Sequence, residues 1–271
     1  MTIRIHGLRQ PKKVVAPRRL KKTGKRNGVR RRVHNKRTFV QRHLVIAVIS
    51  ALGSVAGEHP GALTSLRLGT QTLLEMVVER VAKCAGGIIV LVAAEGVDAA
   101  TTLLGAKAEI RAAKSCDLDA ILAGIATSDA PVVLVHDLAY PFAGPNLMTK
   151  VALGALDHGA AVCVGPPCVD IAEVSDERLL PPIGVGKMQS IAMPQAFLHE
   201  ALQELSAESD AGAMPVARLW RAVQAHGETV YAVPNPGFNI HIATSLDWLT
   251  ARKVIWPWLQ ARYKSPQASR T

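Results

Sequence analysis

The stretch Pro131–Phe142, Pro-Val-Val-Leu-Val-His-Asp-Leu-Ala-Tyr-Pro-Phe, limits the fold of this chain more than any other. Val132–Val135 is an unbroken β-branched and aliphatic run, the pattern of a strand buried on both faces. Such strands belong to parallel sheets with helices on either side. His136 and Asp137 follow at once, and Pro141 keeps the residue before it out of helical backbone. The carboxyl ends of strands in an open α/β sheet form the ligand crevice, which makes Asp137 a candidate site residue. The competing reading is a carboxylate that caps the following turn.

The chain around this stretch alternates between the two periods. Buried strands are expected at Leu44–Ile49 and Ile88–Ala93, and further strands at Ala160–Val164 and Thr229–Val233. Helices are expected at Thr70–Ala82, Val97–Leu104, Asp117–Ala126, Asn146–His158, Pro194–Glu204 and Pro215–Ala225, and at Thr244–Ile255, closed by Pro257. This alternation implies an α/β fold with a doubly wound, mostly parallel, Rossmann-like sheet. Residues 165–192 have four prolines and little helical period, and read as an extended arm or hairpin. Ser50–Ser65 is a glycine-containing loop after the first strand, a place where backbone N–H groups can cradle phosphate. It matches neither the dinucleotide fingerprint nor the Walker sequence, and its nearest Lys or Arg is Arg67.

The formal net charge of +11 conceals two opposite parts. Residues 1–43 carry 16 of the 32 Lys and Arg and no acid, so the remainder holds 16 basic against 21 acidic side chains, a balance of −5. A segment so charged and so poor in apolar residues is expected to be disordered alone. If translated, it would bind RNA, DNA or another polyanion through phosphate contacts and counterion release, or more weakly an anionic membrane. Phe39 is its one aromatic, which argues against base stacking. Two other readings stand beside this: a start assigned too early, with the true one at Val40, Leu44 or Val45, and a signal peptide with Leu44–Leu52 as its apolar region. The expected organisation is a basic arm at 1–43, a domain at 44–262 and a tail at 263–271. No apolar run reaches the ~18–20 residues of a membrane span. The four cysteines have no paired C-x-x-C spacing, so reduced thiols in a cytoplasmic protein are expected. Trp220, Trp248, Trp256 and Trp258 read as packing residues, with Trp256-Pro257-Trp258 alternatively covering a partner's surface.

From about Leu44 to Ala251 the domain resembles the methylerythritol-phosphate cytidylyltransferase (IspD-like) family. The resemblance rests on Gly69-Thr-Gln-Thr-Leu-Leu-Glu75, Asp119 with Ala123-Gly124, Val133-Leu-Val-His-Asp137 with Pro141, and Asp170. It continues through Met193-Pro-Gln-Ala-Phe197, Ser209-Asp210-Ala211 and Asn239-Ile240. It implies a nucleotide-diphospho-sugar transferase fold whose protruding arm, here 168–192, clasps a second subunit. That subunit would be a second copy or an active paralogue. It also implies attack of a polyol phosphate on the α-phosphorus of CTP, with Mg2+. Carried over by position, Ala51, Leu52, Gly53, Ser54, Asp119 and Asp137 would bind nucleotide. Asp170 and Asp210 would bind the acceptor, and Asp137 would hold the metal.

The family's cations are missing from these positions. Ser50–Leu66 contains no Lys or Arg, Tyr140 stands where an Arg precedes the proline, and His241 stands for the Lys after Asn-Ile. Ala120, Ile171 and Phe238 replace a Ser, a Thr and an acid of the pattern. His241 is the weak candidate for a catalytic cation, and an unperturbed imidazole is mostly neutral at pH 7. The sequence thus predicts a degenerate family member that acts by binding a nucleotide or a partner. The alternatives are a divergent active enzyme with a cation supplied by Lys187 or the basic segment, and a nucleic-acid-associated protein that acts through residues 1–43.

Overall fold

The computed structural model describes residues 41–53, 62–167, 174–175, 178–179, 188–207 and 214–264. The strands of its main sheet are β1 (Val45–Ser50), β4 (Gly87–Val92), β5 (Glu109–Ala112), β6 (Val132–Asp137), β7 (Gly159–Gly165), β10 (Ser190–Leu198) and β11 (Thr229–Pro234). Two short pairs complete the set: β2 (Arg67–Leu68) with β3 (Gln71–Thr72), and β8 (Val174–Ser175) with β9 (Arg178–Leu179). The helices are α1 (Leu73–Val81), α2 (Val97–Leu104), α3 (Leu118–Ile125), α4 (Pro145–His158), α5 (His199–Ser206), α6 (Val216–Ala225), α7 (Ser245–Thr250) and α8 (Trp256–Lys264).

The seven main strands lie in the order β11-β7-β10-β6-β1-β4-β5. Every neighbouring pair is parallel except those of β10, which runs antiparallel to both β6 and β7. Alternate strand residues feed two separate cores, which is why the central strands carry no polar alternation. Val132 and Leu134 face the layer of α1, α2 and α4. Val133 and Val135 face α3, α5 and α6. The mostly parallel, doubly wound α/β sheet expected from the sequence is the one observed.

Three local expectations fail, and one strand was not expected. Pro194 does not open a helix: it lies inside β10, and the helix begins at His199. The pairing register shifts between Ala192 and Gln195, so the proline, with no N–H to give, sits where the ladder is already interrupted. Ser190–Ala192, expected at the end of the arm, belong to this strand. Pro257 does not end a helix either. It is the second residue of α8, inside a helical run that continues from α7 through a π-type turn at Ala251–Ile255, and its missing N–H falls directly after that irregular turn. β5 was not anticipated, because its four residues are half-buried or exposed and form no apolar run.

α1 starts at Thr72 through reciprocal capping. The Thr72 hydroxyl accepts from the Glu75 N–H at 3.1 Å, and the Glu75 carboxylate accepts from the Thr72 N–H at 2.8 Å. Thr72→Ala is expected to lower unfolding free energy by about 1 kcal/mol in urea titrations, with Thr72→Ser close to the parent. The β2–β3 turn uses Gly69 at φ +65°, a backbone conformation that glycine adopts without penalty, and packs it under the Trp256 ring.

Candidate functional site

β1 and β6 are adjacent and in register, so Ser50 lies beside Asp137 at their carboxyl ends. The Leu138 N–H donates to the Ser50 carbonyl at 2.9 Å, which carries the pairing one residue past the strand. Asp137 Oδ1 accepts from the Ala139 N–H at 2.8 Å. The turn-capping role and the crevice position therefore coexist. Gly53 brings the loop after β1 against this carboxylate: a Cβ there would lie 3.7 Å from Asp137 Oδ1 and 3.1 Å from Leu63 Cδ1. Ala51 is buried and donates its N–H to Leu91, so it contributes backbone to the sheet. Leu52 and Gly53 follow it directly at the crevice.

The opposite wall is the segment after β11. The Ile242 N–H donates to the Ala139 carbonyl at 2.8 Å and fastens this segment to the turn that follows Asp137. His241 is thereby stacked on Tyr140, with ring centroids 4.8 Å apart and planes 15° from parallel. Asn239 is buried, and its amide donates to the Met193 carbonyl at 2.9 Å and to Asn235 Oδ1 at 2.8 Å. Cys163 also donates to Asn235 Oδ1, at 3.3 Å. This amide pair holds the wall to β7 and β10.

Burial sets the electrostatics of the crevice. Desolvation pushes the Asp137 carboxyl above its usual range, while the Ala139 N–H and the His241 imidazole pull it partly back. Cys116 is pushed up to about 12, first by burial and then by the Asp137 and Asp117 charges. Tyr140 is raised to about 12 by burial, with Asp137 adding to it. Its phenol and the Cys116 thiol are therefore uncharged donors at neutral pH. Neither is a nucleophile, since that role needs the deprotonated form. His136 points away from Asp137 into the other core layer. Its Nε2 lies 3.1 Å from the Tyr140 carbonyl and must donate to it, and burial holds the ring neutral, down to about 4.

The sequence-derived residues do not all converge. Asp119 is exposed in the first turn of α3, and Asp117 is the residue that caps that helix, accepting from the Ala120 N–H at 2.9 Å. Ser54, Asp170, Asp210 and Lys187 lie outside the described residues. Cys116 and the Tyr140–His241 stack had no periodic or motif signal. The structure finds them because the segment before α3 and the segment after β11 both end at the tip of β6. Among the described residues no group of three His, Cys, Asp or Glu side chains is placed to hold a metal; Asp137 accepts a backbone N–H on Oδ1, which would leave Oδ2 to share a Mg2+ with substrate phosphates. A second hollow, of about 310 Å³, lies at the amino ends of β1 and β4, lined by Arg42, Gly86, Lys107 and Glu109 among others. It is at the wrong end of the strands to serve Asp137.

Residues 45–256 match the family model described as IspD, 2-C-methyl-D-erythritol 4-phosphate cytidylyltransferase. The Bacillus pumilus enzyme of that name is 30% identical over 131 residues, covering 48% of this chain and 57% of its own length. The bifunctional IspD/IspF enzyme of Anaeromyxobacter dehalogenans is 30% identical over 222 residues, 78% of this chain and 57% of that protein. The Rhodococcus jostii cytidylyltransferase is 28% identical over 78% of this chain and 95% of its own length. The chain thus spans little more than half the length of two of these relatives. Among solved structures, the Anaerococcus prevotii 4-diphosphocytidyl-2C-methyl-D-erythritol synthase superimposes with a TM-score of 0.63 at 20% identity, over 80% of this chain and 98% of its own. The Thermus thermophilus cytidylyltransferase does so at 0.57 and 22%, over 77% and 98%. At those identities the structures speak for the fold alone, while the family model covers most of the chain. By that match, the chain belongs to the 2-C-methyl-D-erythritol 4-phosphate cytidylyltransferase family.

Proposed function

We propose that this protein is a family member that has kept the nucleotide-binding scaffold and acts by binding, without efficient cytidylyl transfer. The observation that carries this reading is the set of groups around Asp137: a burial-raised carboxyl, a stacked Tyr140–His241 pair and the neutral Cys116 thiol. Transfer from a nucleoside triphosphate depends almost entirely on cations placed around the phosphates. Among the described residues the cationisable group that acts on Asp137 is the His241 imidazole, and the loop 50–66 supplies no Lys or Arg from its sequence. Uncharged donors beside a buried carboxyl suit the hydroxyls and amino group of a nucleoside better than a triphosphate.

Calorimetric titration with cytidine, CMP, CTP and inorganic triphosphate tests this reading. Cytidine and CMP are expected to bind, and CTP to bind no tighter than inorganic triphosphate, whose uptake measures base-independent attraction to the basic segment. CTP binding well above inorganic triphosphate, together with pyrophosphate release in the presence of methylerythritol phosphate, would overturn it. The same assay run with Mg2+ decides whether carboxylates outside the described residues assemble a metal site.

A further inference from the structure

We infer that the outward face of α7 and α8 is an interfacial docking surface for anionic lipid. Among the described residues five large hydrophobic side chains are exposed, and four of them lie here: Leu246 at 70% and Leu249 at 51% on α7, Val254 at 61% in the turn Ala251–Ile255 that joins the helices, and Trp258 at 45% on α8. The inward face is also apolar, with Ala251 and Leu259 buried and Trp248, Ile255 and Trp256 packed on the core. A helix apolar on both faces has one face more than the domain can cover. The wider π-type turn at Ala251–Ile255 joins the helices. Its smaller rotation per residue brings Val254 and Trp258 back over Leu246 and Leu249, making one patch where a regular helix would spread the four around the axis.

Charge identifies the occupant. Arg252, Lys253 and Arg262 are exposed around this patch, and the Arg262 guanidinium lies 5.0 Å from the Trp258 ring centroid. From Ser245 to the last residue the one acid is Asp247. Its carboxylate is already used, accepting from the Ala243 N–H, the Thr244 N–H and the Thr244 hydroxyl at 3.1, 2.8 and 2.7 Å. A second copy docked by two-fold symmetry would bring this basic rim against an identical basic rim, which like-charge repulsion opposes. Leu, Val and Trp within a basic rim are the composition of a helix that lies in the headgroup layer. No described helix is long and apolar enough to cross a membrane, so the surface lies on the bilayer. This inference is independent of whether the crevice binds nucleotide.

The test is insertion into vesicles of phosphatidylcholine, alone or mixed with phosphatidylglycerol, read by quenching of tryptophan emission with brominated acyl chains. Quenching reports entry of the indole into the apolar layer, which the basic segment at 1–43 cannot produce by charge alone. The full chain is expected to be quenched in the mixed vesicles and not in phosphatidylcholine. Leu249→Glu/Val254→Glu is expected to weaken partitioning by about tenfold or more, and Trp258→Phe to remove most of the quenching while binding persists. Both sites are exposed, so the fold is retained, as far-UV circular dichroism would confirm. Absence of quenching, or equal quenching in the double variant, would overturn the inference. So would self-association in sedimentation that the double variant abolishes, which would make the face an interface between copies.

Discussion

Supplied with CTP, methylerythritol phosphate and Mg2+, the protein is expected to release pyrophosphate at no more than about one thousandth of the rate of the Rhodococcus jostii relative assayed beside it. Removing one preorganised electrostatic group typically costs about 2.7–4 kcal/mol of barrier, or roughly 10²–10³ in rate. By the family resemblance Tyr140 and His241 stand where an Arg and a Lys are expected, and the sequence has no Lys or Arg between Ser50 and Leu66. Such losses need not add, yet one alone reaches the predicted deficit. The stacking of His241 on Tyr140 makes the change structural as well as electrostatic, because the two rings occupy the wall beside Asp137 where cations would have to stand. Tyr140→Arg/His241→Lys is the corresponding gain test. A rise of about tenfold in pyrophosphate release would show that the crevice lacks charge rather than shape. A parent rate equal to that of the relative would refute the deficit outright.

Acidification is expected to remove about 3 kcal/mol of stability through His136 between roughly pH 6.5 and pH 4. The folded protein holds this imidazole neutral down to about 4 because it is fully buried, and Arg80 nearby further opposes a positive charge. The unfolded chain takes up the proton near the ordinary value of about 6.5. Between those two values the unfolded state binds one more proton, so stability falls as pH falls, and the contribution is complete above pH 6.5. Asp137 acts in the opposite sense: its raised carboxyl binds a proton sooner in the folded state, so its contribution is present at low pH and is lost as pH rises through the folded value. The informative quantity is therefore a difference. His136→Gln keeps an uncharged donor toward the Tyr140 carbonyl, and urea midpoints from pH 7 to pH 4 should lose the His136-dependent slope. An unchanged slope would mean that the imidazole charges without cost.

Much of the architecture was legible because burial on both faces leaves a plain mark. β1, β4 and β6 read as continuous apolar runs, and α1 and α3 as amphipathic stripes, so the sheet and its layers follow from pattern and length. Asp137 was legible for a related reason: a carboxylate directly after a fully buried strand falls at the crevice by topology. β10 was not legible. Its Met-Pro-Gln-Ala-Phe resembles a helix opening, and only pairing with β6 and β7 on both sides, with an irregularity at the proline, makes it a strand. The resemblance pointed to Asn239 and His241, but the contact that makes them a wall of the site was hidden likewise. Asn239 and His241 lie about a hundred residues from Asp137, and nothing in local periodicity reports the hydrogen bond from Ile242 to Ala139 that brings them together.

The amino-acid sequence by itself determined the class of fold, the position of the carboxylate that ends β6 and the lack of Lys and Arg between Ser50 and Leu66. Each of these follows from residue type and order along a single segment. The tertiary structure alone decided that His241 lies on Tyr140, that Cys116 shares the crevice, and that α7 and α8 present one apolar face outward. These depend on contacts between segments distant in the chain, whose free energy is gained only when the whole sheet is closed.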